Sequence, residues 1–279
     1  MIKNKRILVT GGAGSIGSEL VRQLAPHNKV FILDISENAY GLSQELVGLG
    51  YWVHPRVGDV RNRDTIKDLF EDFKPQLVFH AAAYKEVGPM ELYPREAIDT
   101  NIVGTANIIH EASRWECLEK FVNISTDKVV NSRSIMGQSK KFAETMVSNQ
   151  GKKFVSVRFG NVINSRGSLI PIWQKQVDGG KPITVTDIKM ERYFMTISDA
   201  VKLVIRAAEK GVGGEIFCLE MGKKININEL ATRLIKEMQG GEIKVVGIRD
   251  GETLTEDIMT EEEKRTATKD GEFFIIKYT

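Results

Sequence analysis

The sequence predicts an α/β protein built on a doubly wound parallel sheet, with a smaller C-terminal lobe for a substrate. Three observations predict it. Up to about residue 160, short β-branched runs alternate with amphipathic segments of helix length. A glycine-rich stretch separates the first such run from the first helical segment. Beyond Gly160 the rhythm breaks into shorter elements with turn signals such as Asp178-Gly179-Gly180-Lys181-Pro182.

Taken in order, strands are expected over 6–10, 29–34, 52–57, 76–80, 120–125 and 154–159, with helix-length segments between them. Six such strands make a full nucleotide-binding sheet. A helix over 198–210 and a strand over 215–219 are expected to return to it. The expected division is therefore 1–160 with 197–220 for the dinucleotide-binding part, and 161–196 with 221–279 for the substrate lobe. The acidic stretch 252–263, followed by Lys264-Arg265, reads as a solvated helix with a charge-balanced end.

Composition narrows the function classes. The 279 residues are 42% hydrophobic and 27% charged, values of a folded globular protein. Lysine and arginine total 39 against 37 acids and are interspersed, so no basic stripe offers a nucleic-acid footprint. Cys117 and Cys218 stand far apart, which provides neither metal-ligand spacing nor a redox pair; both are expected as core residues in a reducing cytosol, with no metal. The N-terminus lacks a signal-peptide pattern, and no apolar run reaches the roughly 18 residues of a membrane span. A cytoplasmic protein without a membrane partner is the expectation.

Residues 10–17 read Thr-Gly-Gly-Ala-Gly-Ser-Ile-Gly, after a strand and at the start of a helix. That context makes a Rossmann-like dinucleotide fingerprint: glycines let the backbone approach a pyrophosphate, and the helix N-terminus offers free N–H groups. Gly11, Gly14 and Gly17 fit one spacing and Gly12, Gly14 and Gly17 another; Ser15 and Ile16 lie within the motif. Asp34 ends the second strand, where a carboxylate would bond a ribose diol and repel a 2′-phosphate, so NAD+ is expected. Ser36 close by leaves NADP+ as the alternative. Asp59 is placed either to contact adenine or to cap a turn. Val60, Ala81 and Ala82 complete the expected cofactor set. The fifth strand ends in Ser125-Thr126-Asp127-Lys128, at the carboxyl edge where open sheets bind ligands. Lys140 heads the next helix.

These residues resemble the extended short-chain dehydrogenase/reductase superfamily over nearly the whole chain. Its hallmark is Y-x-x-x-K; here Met136-Gly137-Gln138-Ser139-Lys140 keeps the lysine and replaces the tyrosine with a thioether that cannot move a proton. The chain is similar in that replacement to bacterial nucleotide-sugar 4,6-dehydratases of polysaccharide biosynthesis, which carry S-T-D-K followed by M-G-x-x-K. The likeness continues through 80–85, 101–105, 158–162, 165–168, 192–196 and 248–252. Glu86, Val87, Gly88 and Pro89 depart from it, standing where a histidine and V-P-L are expected. Many relatives also carry a membrane-spanning N-terminal region, which makes this chain, by expectation, a soluble short form.

The resemblance implies UDP-N-acetylglucosamine as substrate and a tightly bound, recycled nicotinamide. Asp127 is then the acid at the C6 hydroxyl and Lys128 the base at C5, with exchanged roles open. Thr126 bonds the C4 oxygen, and Lys140 holds the nicotinamide ribose. Met136 belongs to the catalytic set by position, or is mere packing. Lys85 is a sugar or phosphate contact, or an exposed lysine. Asn161, Arg192, Arg249 and Glu252 are implied as uridine and diphosphate contacts, with Ser168 in the same substrate set. His80 reads as structural. The implied product is a 4-keto-6-deoxy sugar for surface polysaccharide or deoxyamino sugars such as pseudaminic acid. Alternatives are a C5-inverting or partial dehydratase giving a 5,6-ene, a C5-epimerase on such an intermediate, a 4-epimerase, and a noncatalytic NAD(P)-binding sensor. A homo-oligomer and a next enzyme of a nucleotide-sugar pathway are the expected partners.

Overall fold

The computed structural model describes residues 1–237 and 241–277. The chain opens with β1 (Arg6–Thr10), α1 (Ser15–Leu24), β2 (Lys29–Asp34), α2 (Asn38–Gly48), β3 (Val53–Val57), α3 (Arg63–Phe73) and β4 (Leu77–His80). Two short helices follow, α4 (Val87–Leu92) and α5 (Pro94–Ala97); a π-helical stretch, Ile98–Gly104, then leads into α6 (Thr105–Arg114). Next come β5 (Lys120–Ile124), α7 (Ile135–Ser148), β6 (Phe154–Arg158), β7 (Asn161–Val162), α8 (Leu169–Asp178), β8 (Ile183–Val185), β9 (Glu191–Arg192) and β10 (Phe194–Met195). The rest is α9 (Ile197–Lys210), β11 (Glu215–Leu219), β12 (Ile225–Asn226), α10 (Ile227–Glu237), β13 (Ile243–Val245), α11 (Glu261–Thr266), β14 (Thr268–Asp270) and β15 (Phe273–Lys277).

One sheet dominates, in the order β14-β15-β11-β6-β5-β4-β1-β2-β3. It is parallel from β3 to β11, and β15 and β14 add antiparallel. The inner strands are largely apolar and buried because both faces are covered, whereas β3 and β14 at the two edges are not. Side chains alternate between two cores: Ile7, Val9, Val30 and Ile32 pack under α1, α2 and α9, whereas Leu8, Phe31, Leu33 and Val78 pack under α3 and α6. The direction of winding reverses between β1 and β4, and the crevice at their carboxyl ends is where such sheets bind ligands. Local signals stop and start the helices. Asn62 caps α3 through Thr65 N, Ser134 caps α7 through Gly137 N, and Thr260 with Glu263 forms a capping box on α11.

The small lobe has its own core, in which Trp173, Ile183, Val185, Met190, Ile227 and Ala231 are buried between α8, α10 and the β8–β13 pair. Three expectations are corrected. The chain's last strands lie in the main sheet rather than in the small lobe, because Phe273 and Ile276 extend its apolar face beside β11; residues 238–240 and 278–279 of the expected lobe fall outside the described residues. The 252–263 stretch is not a solvated helix: only α11 is helical, and Glu256 and Glu263 are buried against arginines. Cys218 is a core residue, but Cys117 lies half-buried in the turn before β5.

Candidate active site

The glycine loop follows β1 directly. Gly11 has φ +66°, and a Cβ on it would stand 2.6 Å from Ala82 N and 2.7 Å from Ala81 C. A Cβ on Gly17 would run into the Gly11 carbonyl oxygen, and one on Gly14 would lie 3.1 Å from that oxygen. Gly12 is tight for another reason, its Cβ position being 2.7 Å from Ile32 Cγ2. Of the four, Gly11 alone has a positive φ, which only a glycine adopts without strain. Gly14 caps α1 without a side chain, and no acid stands in the first turn. The helix N-terminus therefore keeps free N–H groups and an unopposed positive dipole, which suits a pyrophosphate. The residues present fit a dinucleotide.

Around this cradle, Asp34 accepts from Ala13 N and Ser36 N, both at 2.8 Å, which ties the loop to the end of β2. Ser36 Oγ accepts from Asn38 N at 3.2 Å. Asp59 accepts from Arg61 N at 2.8 Å and from its guanidinium at 2.7 Å. Burial works against that carboxylate, but the Arg61 hydrogen bonds outweigh it and hold its pKa below the usual value. Val60 is buried under Gly104, Ile16 packs on the main core, and Ser15 Oγ accepts from Arg166 N at 2.9 Å. Ala81 N and Ala82 N both bond to Thr10. His80 is fixed between the Thr10 and Thr105 hydroxyls at 2.7 and 2.9 Å, and burial, helped by the Lys140 charge, pushes it down to about 3. It is neutral and structural.

The Thr126-Asp127-Lys128 turn lies just beyond β5. Asp127 is fully buried; its Oδ1 accepts from Thr126 Oγ1 at 3.0 Å and from Lys128 Nζ at 2.9 Å. Its Oδ2 has no partner, and a Cβ on Gly160 would stand 3.2 Å from that oxygen. Lys128 Nζ also donates to Asn161 Oδ1 at 3.0 Å, which joins β7 to the turn. Lys140 is buried on the first turns of α7, with Nζ 2.5 Å from the Ile124 carbonyl oxygen. Met136 is also buried, in an apolar cluster with Met90, Ala97, Tyr84 and Val87.

Burial pulls the Lys140 ammonium down from 10.5 to about 8, against the opposing pull of Glu144. Between those values the unfolded chain holds more protons here than the folded one, so stability rises across the window; below it the burial cost stands in full. Lys140→Met is therefore expected to be more stable than the wild type at pH 7 by up to about 3 kcal/mol. The gap should close as pH rises from 8 to 10.5. Urea unfolding of both proteins across that range checks it, and a pH-independent gap contradicts it.

The substrate-lobe residues are placed unevenly. Lys85 is exposed, donating to the Arg166 carbonyl at 2.7 Å and paired with Glu86 at 3.1 Å. Ser168 caps α8, and its hydroxyl is buried without a partner. Arg192 is buried, with its guanidinium on the carbonyls of Glu191, Thr253 and Leu254. Arg249 and Glu252 close a turn on each other, and between them Gly251 packs against Ser134, the N-cap of α7, and Glu91 of α4.

Three features have no counterpart in the sequence reading. Asn101, inside the π-helical stretch, clamps Tyr84 through both its N–H and its C=O at 2.9 Å and reaches Ser139 Oγ at 2.9 Å. Such irregular turns recur at functional sites. Arg158 forms paired bonds with Glu144 and Glu263 at 2.6 to 2.9 Å, while Ser125 donates to Glu144 at 2.7 Å. Glu256 is buried beside Arg192, its carboxyl within reach of the Lys128 and Asp127 charges. The signals for them in the sequence are an asparagine and an arginine within the segments of family likeness, 101–105 and 158–162, and an acid within an acidic run.

Comparison with known proteins gives a consistent picture. A family model described as polysaccharide biosynthesis protein matches residues 7–278. The capsular polysaccharide biosynthesis protein CapD of Staphylococcus aureus is 44% identical over 277 residues, 94% of this chain and 46% of that protein. The chain thus spans about half the length of the first curated relatives it matches. A UDP-glucose 4-epimerase of Rickettsia bellii is 34% identical over 295 residues, 99% of this chain and 84% of its own length. The crystal structure of Pen from Bacillus thuringiensis superimposes with a TM-score of 0.93 at 34% identity, over 99% of this chain and 88% of that one. Among the described residues no helix is long and apolar enough to cross a membrane.

Proposed function

The chain belongs to the polysaccharide biosynthesis protein family, with the fold of an extended short-chain dehydrogenase/reductase, and from that premise we propose that it is a 4,6-dehydratase acting on UDP-N-acetylglucosamine. The observation that carries this reading is the contact of the buried Asp127 carboxylate with the partly buried Lys128 at 2.9 Å. Removing water across C5 and C6 needs an acid at the C6 oxygen and a base at C5 together. One proton moved from Lys128 to Asp127 turns the ion pair into that acid and that base.

The glycine cradle, Gly11, Gly14 and Gly17, would hold NAD+, which would supply a hydride acceptor for C4 and the hydride for C6. Asp34 on β2 favours NAD+ over NADP+, and because the cofactor is regenerated it stays bound. Lys140, with its pKa near 8, takes the proton of the C4 hydroxyl in place of the absent tyrosine. The C4 ketone acidifies C5–H, and Lys128 removes that proton while Asp127 gives its own to the departing C6 hydroxyl. Lys128, whose amine protons exchange with solvent, then delivers a proton to C5. The proton held on Lys140 passes through Thr126, 3.0 Å from Asp127, and restores the acid, so the cycle closes. Asn161 keeps Lys128 aimed, and Met136 serves as packing under the start of α7. Lys85, Ser168, Arg249 and Glu252 contact the nucleotide sugar, with Arg192 holding the loop that carries the last two. The protein works as a cytoplasmic homo-oligomer supplying surface polysaccharide or deoxyamino-sugar synthesis.

A second reading, C4 epimerisation, is favoured by the Rickettsia relative's name. Incubating the purified protein with UDP-N-acetylglucosamine, without added cofactor, separates the two by mass. A product lighter by one water supports dehydration; an isomer of unchanged mass supports the epimerase.

A further inference from the structure

The crevice at the carboxyl ends of β1 and β4 is bounded by the glycine cradle on one side and by residues 81–86 on the other. These two segments meet at their base, where Gly11 lies against Ala81 and Ala82. Their far ends are joined by a third segment, the turn 165–168, which comes from the substrate lobe and closes through Ser168 N on the Ser165 carbonyl at 2.9 Å. On the cradle side, Arg166 N donates to the Oγ of Ser15, the first residue of α1, at 2.9 Å. On the other side, Lys85 Nζ donates to the Arg166 carbonyl at 2.7 Å and is paired with Glu86 at 3.1 Å. Arg166 thus holds both walls of the crevice with its own backbone. Glu86 stands at the N-cap of α4 but makes no side-chain cap bond there. Its carboxylate lies instead against Gly167, φ +74°, where a Cβ would be 2.6 Å from Oε1. Glu86 is also one of the positions at which the chain departs from the family likeness.

We propose that the 165–168 turn is a clasp across this crevice, bolted to Ser15 and to the Lys85–Glu86 pair, which a dinucleotide must open to reach or leave the cradle. This rests on the reading of the glycine loop as a dinucleotide cradle and holds whichever reaction follows. The bolts are hydrogen bonds from polar groups at the surface, with Lys85 56% and Glu86 49% exposed, so they break and re-form at small cost. A cofactor regenerated within each turnover has no need to exchange, and a clasp that slows its escape suits such a cycle. The clasp also ties the two lobes together, because Ser168 at the end of the turn is the N-cap of α8. A device that blocks passage has a kinetic signature of its own. Weakening it lowers the barrier to entry and to exit by the same amount, whereas loss of a direct contact speeds exit alone.

The test is stopped-flow fluorescence of NADH entering the cofactor-free protein, and of its displacement by excess NAD+, for wild type and Glu86→Ala. In the variant Lys85 loses the partner that holds it on the Arg166 carbonyl, and Gly167 loses the carboxylate packed on it. Both rate constants are expected to rise together by about 2- to 5-fold, with Kd little changed. The gap between the two proteins should narrow at high salt, which screens the exposed pair in the wild type. Unmoved rate constants overturn the clasp. A dissociation rate that rises alone overturns it too, and makes Glu86 a contact of the cofactor instead. A wild type that takes up no NADH overturns the dinucleotide reading and the clasp together.

Discussion

Replacing Asp127 by Asn is expected to lower the rate of water loss by about 10²- to 10⁴-fold while leaving the fold intact. The amide oxygen can still accept from Thr126 and Lys128, so the two contacts at 3.0 and 2.9 Å survive. What disappears is the acid. An amide has no proton to give the C6 oxygen, and Lys128 loses the carboxylate that takes its proton and leaves it a free amine. Steady-state product formation, read by mass, checks the rate, and titration with UDP-N-acetylglucosamine checks that binding persists. Turnover near the wild-type level would remove Asp127 from the chemistry and leave its burial without a functional account.

Arg158→Leu is expected to cost about 3–5 kcal/mol of stability. Arg158 is fully buried and bonds both oxygens of Glu144 and both of Glu263. Burial opposes its charge, but the two carboxylates reverse that and hold its pKa above the ordinary value. Without it two carboxylates face each other away from water, with Lys141 near both at 3.2 and 3.8 Å and partly exposed. Because Ser125 hangs on Glu144, one residue before Thr126, the Thr126–Lys128 turn should loosen as well. Denaturant unfolding measures the loss, and replacing all three residues by apolar ones should recover part of it. A loss below about 1 kcal/mol would show that water or rearrangement meets these charges.

Much of this architecture was legible in the sequence. Apolar runs located β1, β2 and β11 to the residue and the other parallel strands of the main sheet within one position, because a strand covered on both faces is largely apolar, whereas the antiparallel β14 and β15 were missed. The glycine cradle was legible for a steric reason, since only Gly11 meets both the positive φ and the close approach to Ala81 and Ala82. Long-range pairing was not. Nothing in the local pattern at Arg158 announces Glu263, 105 residues away, and the same acidic composition describes a solvated helix or a strap with two inward carboxylates. Asn101 was hidden differently: its role depends on a π-helical turn, which has no composition signature, and on a loop backbone 17 residues upstream. Arg192 illustrates a further limit, because a buried arginine on carbonyls and one on a phosphate have the same sequence.

The most direct test is incubation of the purified protein with UDP-N-acetylglucosamine in D2O, with the product read by mass and by NMR at C5 and C6. The account predicts loss of one water, one solvent deuteron at C5 and none at C6, since the hydride returned to C6 is the one taken from C4. A sugar epimerised at C4 with no deuterium at C5 would contradict it, because Asp127 and Lys128 would then have moved no proton at that carbon.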